Sequence, residues 1–414
     1  MTENIKEPTR AQGVIMFIIL LLAYISFASN WLIGSSLSGQ ITHHFFAGKA
    51  VSSVVTEVVN YSITIARIFA NFFAAYILIK LSPKKASILA LFFLSFSFLA
   101  IFSPNYWIYI AARMIMALGG SMIMVYMNTV IAKFIPADKK IITSALTTGS
   151  YNMGAVIVGG SLYFLTDYLT HNDHWQYIML GFSLLSLISF ALWLAFSKDF
   201  EPNASNSSSE AIAKEYTYSD ALKDKFVYLF SLGFGGFLFL YVISLASLPS
   251  KLEALNFNPD FSKSIMLFII PSSGIMGTLF SMYMGKKNFP RKPYLIIHGV
   301  LMISAILSGI LVLPSSVLLS YILFGFAGFV MASQYSVYLN LPYELPDMNP
   351  QKITIMFGAF WALGYLVYTL LNFVWSLVLD HFGWDTSLAF YILFSCLYII
   401  CILTFPETKP NKKK

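Results

Sequence analysis

The sequence predicts an all-α integral membrane protein of twelve transmembrane helices arranged as two six-helix bundles. Three observations carry that reading. Twelve segments of about 20 residues, the length a helix needs to cross the hydrocarbon core of a bilayer, are nearly free of charge. The polar loops joining them carry Lys and Arg on alternate sides. One long polar stretch, 198–225, divides the segments six and six.

Composition agrees. With 57% hydrophobic and 11% charged residues, and a mean hydropathy of +0.72, the chain has too little polar surface to coat a soluble globule of 414 residues. The formal net charge of +7 is explained by the loop positions of the basic residues, so no nucleic-acid partner is expected and the lipid bilayer is the main one. Cys396 and Cys401 lie five apart in the last segment, too distant on a helix to bridge. The polar stretch Met1 to Arg10 precedes an apolar run, Val14 to Leu37, that is too long for a signal-peptide core and reads as a retained first helix.

The spans read in order as 14–37, 53–79, 86–103, 106–133, 141–166, 176–197, 226–249, 263–284, 294–313, 316–341, 353–379 and 386–405. An even number places both termini on one side. Assigning that side to the cytoplasm leaves 21 basic residues there and only Lys49, Lys251 and Lys263 outside, the bias expected of a multi-pass protein of the bacterial inner membrane. The organisation is therefore an N-terminal bundle 1–197, a cytoplasmic linker 198–225 containing the Ser/Asn-rich run Asn203 to Ser209, and a C-terminal bundle 226–414 with a basic cytoplasmic tail. Internal repetition supports the division. Ser82-Pro83-Lys84-Lys85 recurs as Phe289-Pro290-Arg291-Lys292, and Pro136, Tyr151 and Gly154 recur as Pro346, Trp361 and Gly364, at offsets of 207 and 210 residues.

Six plus six spans, a central polar loop and basic loops after the second and eighth spans together resemble the major facilitator superfamily, over essentially the whole chain. The family's motif after the second span corresponds to Ala75, Ile79-Lys80 and Ser82-Pro83-Lys84-Lys85, with the basic end kept and the acidic residue absent. Arg113, Ala117 and Gly119 match the family's fourth-span spacing. In the fifth span the stretch Gly154 to Gly160 lacks the Gly-Pro pair of drug antiporters, and Tyr343-Glu344-Leu345-Pro346 looks closer to bacterial nutrient and organic-anion carriers. The resemblance implies the major facilitator fold and a secondary transporter, with Lys80, Lys84 and Lys85 in a cytoplasmic gating loop.

The second span is the most informative segment. Glu57, Asn60, Thr64, Arg67 and Asn71 follow a 3-4-3-4 spacing and share one helix face. Arg67 lies about 21 Å from the outer end, where a charge costs about 2.5–3.5 kcal/mol on insertion scales. It is expected either to anchor an anionic substrate in a water-filled cavity or to brace helices through backbone carbonyls. Arg113 has the same two readings, and an ion pair between Glu57 and Arg113 would leave Arg67 as the free cation. Glu57 is the candidate for proton coupling. Thr143, Thr147, Ser150, Tyr151 and Gly154 share a face of the fifth span, and Trp361, Tyr365, Tyr368 and Asn372 a face of the eleventh. Asn30, Gln334 and Tyr338 are further candidates, and helix packing is the alternative for every residue of these sets.

The outer-loop residues His171, Asp173 and His174 fall short of a metal site, and no phosphate loop, nucleophile elbow or paired carboxylates point to an enzyme. No cofactor or metal is expected. The expected function is alternating-access import of a small organic anion or carboxylate-bearing nutrient by a monomer, with proton symport open to it. The alternative is efflux of amphipathic compounds by proton antiport.

Overall fold

The computed structural model describes residues 8–136, 139–165, 174–200, 218–285, 287–345 and 350–408. Several sequence expectations lie outside them: His171, Asp173, Pro346, most of the polar linker and the basic tail; the side chains of Ala75 and Ile79 lie outside as well. The helices are α1 (Arg10–Ser36), α2 (Ser38–Phe45), α3 (Ser53–Leu94), α4 (Phe96–Ile101), α5 (Tyr106–Phe134), α6 (Lys140–Phe164), α7 (Trp175–Phe196), α8 (Tyr218–Ala221), α9 (Lys225–Ala246), α10 (Leu248–Leu255), α11 (Lys263–Gly285), α12 (Arg291–Val312), α13 (Val317–Asn340), α14 (Pro350–Ser395) and α15 (Leu397–Thr404). No strand occurs among the described residues.

Each of the twelve sequence segments falls on helix. Among the described residues, nine helical stretches are long and apolar enough to cross a membrane, the longest being Ile355–Thr404. Two helical runs are continuous only in name. α3 breaks at Ser82 (φ 69°), after which Pro83 opens the next run in the first turn, where a missing N–H costs nothing. α14 breaks at Gly383 (φ 77°), the conformation that glycine adopts without penalty. Start signals are local. The Thr9 hydroxyl accepts from the Gln12 N–H while the Gln12 side chain accepts from the Thr9 N–H, and Asn105 and Ser316 cap α5 and α13.

The chain divides into two compact units. The first comprises Met1–Val51, Val58–Gly154 and Thr166–Ser207; the second comprises Ser52–Glu57, Ala155–Leu165 and Ser208–Lys414. The two short stretches depart from a simple sequential division for a structural reason. Asp380 accepts from the N–H groups of Ser53 (2.8 Å) and Val54 (3.2 Å), and Ser247 donates to Glu57 (2.9 Å). Gly159 lies against the backbone of Leu267 and Phe268.

Lipid tails are as apolar as leucine, so helices in a membrane associate through close packing at small residues and not through exclusion of water. In the first unit α1 packs on α5 and α7, with Gly120 against the Phe27 ring and Gly154 against the Ile25 carbonyl. In the second, α13 packs on α11 and α12, and α9 packs on α14 and α15. The α11–α13 approach is the tightest, since a Cβ at Gly277 would lie 2.2 Å from the Phe329 carbonyl and one at Gly328 would lie 2.1 Å from that of Ile270. Large apolar side chains such as Phe69, Phe73, Trp107 and Leu318 remain exposed, as expected of a surface whose solvent is lipid.

Gly277→Ala should therefore lower the apparent melting temperature in detergent, at a cost of about 1–3 kcal/mol for forced separation of two backbones. Gly181→Ala, with nothing within 4 Å of its added methyl, should leave it unchanged.

Candidate functional site

In the first unit the polar stripe of α3 meets an aromatic face of α1. Arg67 is 6% exposed, and its guanidinium lies 5.4 Å from the centre of the Phe27 ring and 5.5 Å from that of Trp31. Its Nη2 donates to the Tyr24 hydroxyl at 3.4 Å. In this structure the guanidinium packs among aromatic rings and a phenol of α1. Trp31 also donates through Nε1 to Asn60 Oδ1 (3.0 Å), which accepts from Ser35 Oγ (2.6 Å). The Tyr151 ring stands edge-on to Trp31 at 5.6 Å, so α6 contributes to the same cluster. Thr64 and Thr147 turn their hydroxyls back to carbonyls of their own helices, and Asn71 is half-buried.

Arg113 is fully buried and, among the described residues, has no carboxylate partner. Its Nη1 donates to the Asn30 carbonyl (3.0 Å), its Nη2 donates to that of Trp31 (3.2 Å), and the guanidinium lies over Tyr109. Gly34 makes room for it, since a Cβ there would sit 2.3 Å from Nη1. The Glu57–Arg113 pair inferred from sequence is thus replaced by two separate arrangements: Arg113 holds carbonyls of α1, and Glu57, 3% exposed, accepts from Ser247. The Asn30 side chain belongs to another network, bonding the Ser26 and Phe182 carbonyls and accepting from Ser183 (3.0 Å).

The second unit gathers its candidates in two groups. Gln334 Oε1 accepts from the Tyr398 hydroxyl (2.6 Å), and Tyr338 donates to the Phe230 carbonyl while stacking on the Phe230 ring at 4.6 Å. On α14, Trp361 stacks on Tyr365 at 6.0 Å and meets Phe234 edge-on, and one turn further Asn372 Nδ2 donates to Tyr368 at 3.4 Å.

The basic loops show a relation that the motif alone did not. Lys80 lies over the Tyr76 ring and Lys287 over that of Tyr283, at the same offset of 207 residues. Ser82 donates to Asp199 (2.6 Å), which also accepts from the Lys84 N–H, whereas Lys85 is exposed. In the second unit Glu407 accepts from the N–H groups of Arg291 (2.8 Å) and Lys292 (3.1 Å). Glu344 receives Arg291 at 2.8 Å and Thr408 at 2.7 Å. The acidic residue missing from the first loop motif is thus supplied by Asp199.

Sequence reasoning missed Tyr24, Phe27 and Trp31, although their i, i+3, i+7 spacing placed them on one face. It also missed Tyr398, Asp199 and Glu407. Among the described residues no group of three or more His, Cys, Asp or Glu is placed to hold a metal ion.

A family model described as Major Facilitator Superfamily matches residues 16–370. An uncharacterized protein of Mesomycoplasma hyopneumoniae is 26% identical, covering 100% of this chain and 95% of its own length. A major facilitator superfamily transporter of Mycoplasma genitalium is 24% identical, covering 67% of this chain and 52% of its own. In solved structures the chain is similar to the D-xylose-proton symporter, with a TM-score of 0.75 at 17% identity over 96% of this chain and 98% of that one. The inward open xylose transporter XylE from E. coli gives 0.74 at 16%, with the same coverage. At these identities the structural likeness is one of fold.

Arg113→Gln should lower thermal stability by about 1–3 kcal/mol, because it removes two charge-assisted bonds between α5 and α1. Arg113→Lys should recover only part of this, since one ammonium lacks the planar fork that spans two carbonyls. Thermal unfolding of the purified variants checks both.

Proposed function

Because the chain belongs to the major facilitator superfamily, we propose that it is a secondary carrier that imports a small organic anion or carboxylate-bearing nutrient. In this reading it works by alternating access, with the basic loops on the cytoplasmic face. The observation that carries the substrate class is Arg67. Its contacts on α1 are a phenol and two aromatic faces, groups that stabilise a guanidinium and carry no charge of their own. A carboxylate entering beside it gains a charge-assisted bond in a low-dielectric setting. Arg113, engaged by two carbonyls, serves in this reading as a brace for α1.

A second reading is favoured by the neutral hydrogen-bonding groups of the second unit, Gln334 and Asn372, and by the fold shared with a D-xylose-proton symporter. It makes the cargo a sugar. In either case the driving force is an ion gradient, and Glu57, buried and bonded to Ser247, is the carboxylate we assign to proton coupling.

Uptake into proteoliposomes tests these readings. Labelled short-chain carboxylates should accumulate when the outer pH is lowered, and Arg67→Gln should reduce their uptake about 10- to 100-fold, the loss of one charged hydrogen bond. Glu57→Gln should abolish the response to the pH gradient while sparing counterflow exchange. Full carboxylate uptake by the Arg67 variant would sink the anion reading, and accumulation of sugars alone would establish the second.

A further inference from the structure

The face of α14 that carries Trp361, Tyr365, Tyr368 and Asn372 continues one turn further to Trp375. At about 100° per residue these five side chains fall within an arc of roughly 80°. Their polar ends differ in what they touch. Asn372 and Trp375 are 0% and 1% exposed, and among the described residues neither Asn372 Oδ1 nor Trp375 Nε1 has a hydrogen-bond partner. Asn372 Nδ2 donates to the Tyr368 hydroxyl, which orients the amide and leaves its oxygen as the atom unused. Neighbours at i and i+3 on a helix have Cβ atoms about 5–6 Å apart, so the orphan acceptor and the orphan donor belong to adjacent side chains of one face.

A buried polar atom with no partner costs about 1–3 kcal/mol, and two on one face call for a group that satisfies both. The chemistry of that group is restricted. A carboxylate accepts from the indole N–H but repels the amide oxygen. An ammonium donates to the amide oxygen but opposes the indole N–H. A hydroxyl accepts from Trp375 and donates to Asn372 at once. The stacked pair of Trp361 and Tyr365 on the same face offers an apolar platform of the kind that receives the C–H face of a polyhydroxylated molecule.

We propose that this face of α14 is a hydroxyl-recognising subsite, with Asn372 Oδ1 and Trp375 Nε1 sharing one hydroxyl of the transported solute. The proposal rests on the carrier reading but not on the role of Arg67, and it narrows the cargo to hydroxylated compounds: a hydroxy acid if Arg67 binds a carboxylate, a sugar or polyol if it does not.

The test uses the full-length protein in detergent and three six-carbon probes, with binding read by isothermal titration. D-gluconate has a carboxylate and hydroxyls, hexanoate the carboxylate alone, and D-sorbitol the hydroxyls alone. Asn372→Leu and Trp375→Phe should each weaken gluconate binding about five- to twentyfold, leave hexanoate unchanged, and so collapse the selectivity between the two. Arg67→Gln should weaken gluconate and hexanoate together and leave sorbitol alone, which keeps failure of the anion reading distinct from failure of this one. Each substitution removes an orphan polar atom, which offsets part of the cost of the bond lost to Tyr368 or of the smaller ring, so both ligand-free variants should remain folded. Gluconate and sorbitol binding unaltered by both variants, or wild-type protein that binds neither hydroxylated probe more tightly than hexanoate, overturns the proposal. Should a variant fail to fold, hydrogen exchange of the wild-type protein decides: gluconate protection centred on 368–379 supports the subsite, and its absence there refutes it.

Discussion

The grip of Arg113 on two carbonyls of α1 is the contact on which the arrangement of the first unit depends. A guanidinium is planar and forked, and here its two ends take the Asn30 and Trp31 oxygens in succession. That fixes both the height and the rotation of α1 against α5. Everything α1 presents elsewhere follows from this setting. Trp31 reaches Asn60 and the Tyr151 ring, and Tyr24, Phe27 and Trp31 together surround Arg67. Gly34 is part of the same device, because any side chain there would occupy the space of the guanidinium. A buried cation is expensive in isolation, and here its cost is met by two carbonyls and a ring that set the α1 face against which Arg67 packs.

The two units repeat one solution at the ends that carry the basic loops. A carboxylate located shortly after the last long helix of each half, Asp199 in one and Glu407 in the other, caps the backbone that follows the second long helix of that half. The separation of 208 residues between the two carboxylates matches the offsets of the sequence landmarks. The repeat has diverged in its partners. The first unit uses a serine hydroxyl, whereas the second adds a buried arginine bound by Glu344, so the C-terminal copy is the more heavily charged of the two.

What was legible in the sequence follows from the range of the forces involved. Span positions are set by hydropathy over about 20 residues, a local property, and each predicted segment is helical. The Arg67 stripe was legible because its residues recur on one turn spacing. The partners were not, since Trp31 and Arg67, or Gln334 and Tyr398, meet only after distant helices pack. Glu57 and Arg113 show the risk in pairing charges by estimated depth alone: depth says nothing about azimuth, and Glu57 accepts from Ser247 while Arg113 donates to the carbonyls of Asn30 and Trp31. The aromatic face of α1 was hidden for a different reason. In a span rich in apolar residues, tyrosine and tryptophan look like ordinary lipid-facing material until a charge is found beside them.

Ser82 carries a consequence for the order in which the molecule is assembled. A serine at φ 69° and ψ 158° sits in a region that side chains rarely adopt, at about 1–3 kcal/mol, and its hydroxyl is secured by a carboxylate 117 residues downstream. During synthesis the second membrane crossing therefore emerges, and turns, before the group that locks its exit exists. The matching turn in the other half waits for Glu407, 116 residues beyond the Arg291 N–H that it accepts. Each half stays provisional at this corner until its final helix has been threaded into the bilayer, so a ribosome that stalls early leaves behind crossings that have been inserted but not fastened.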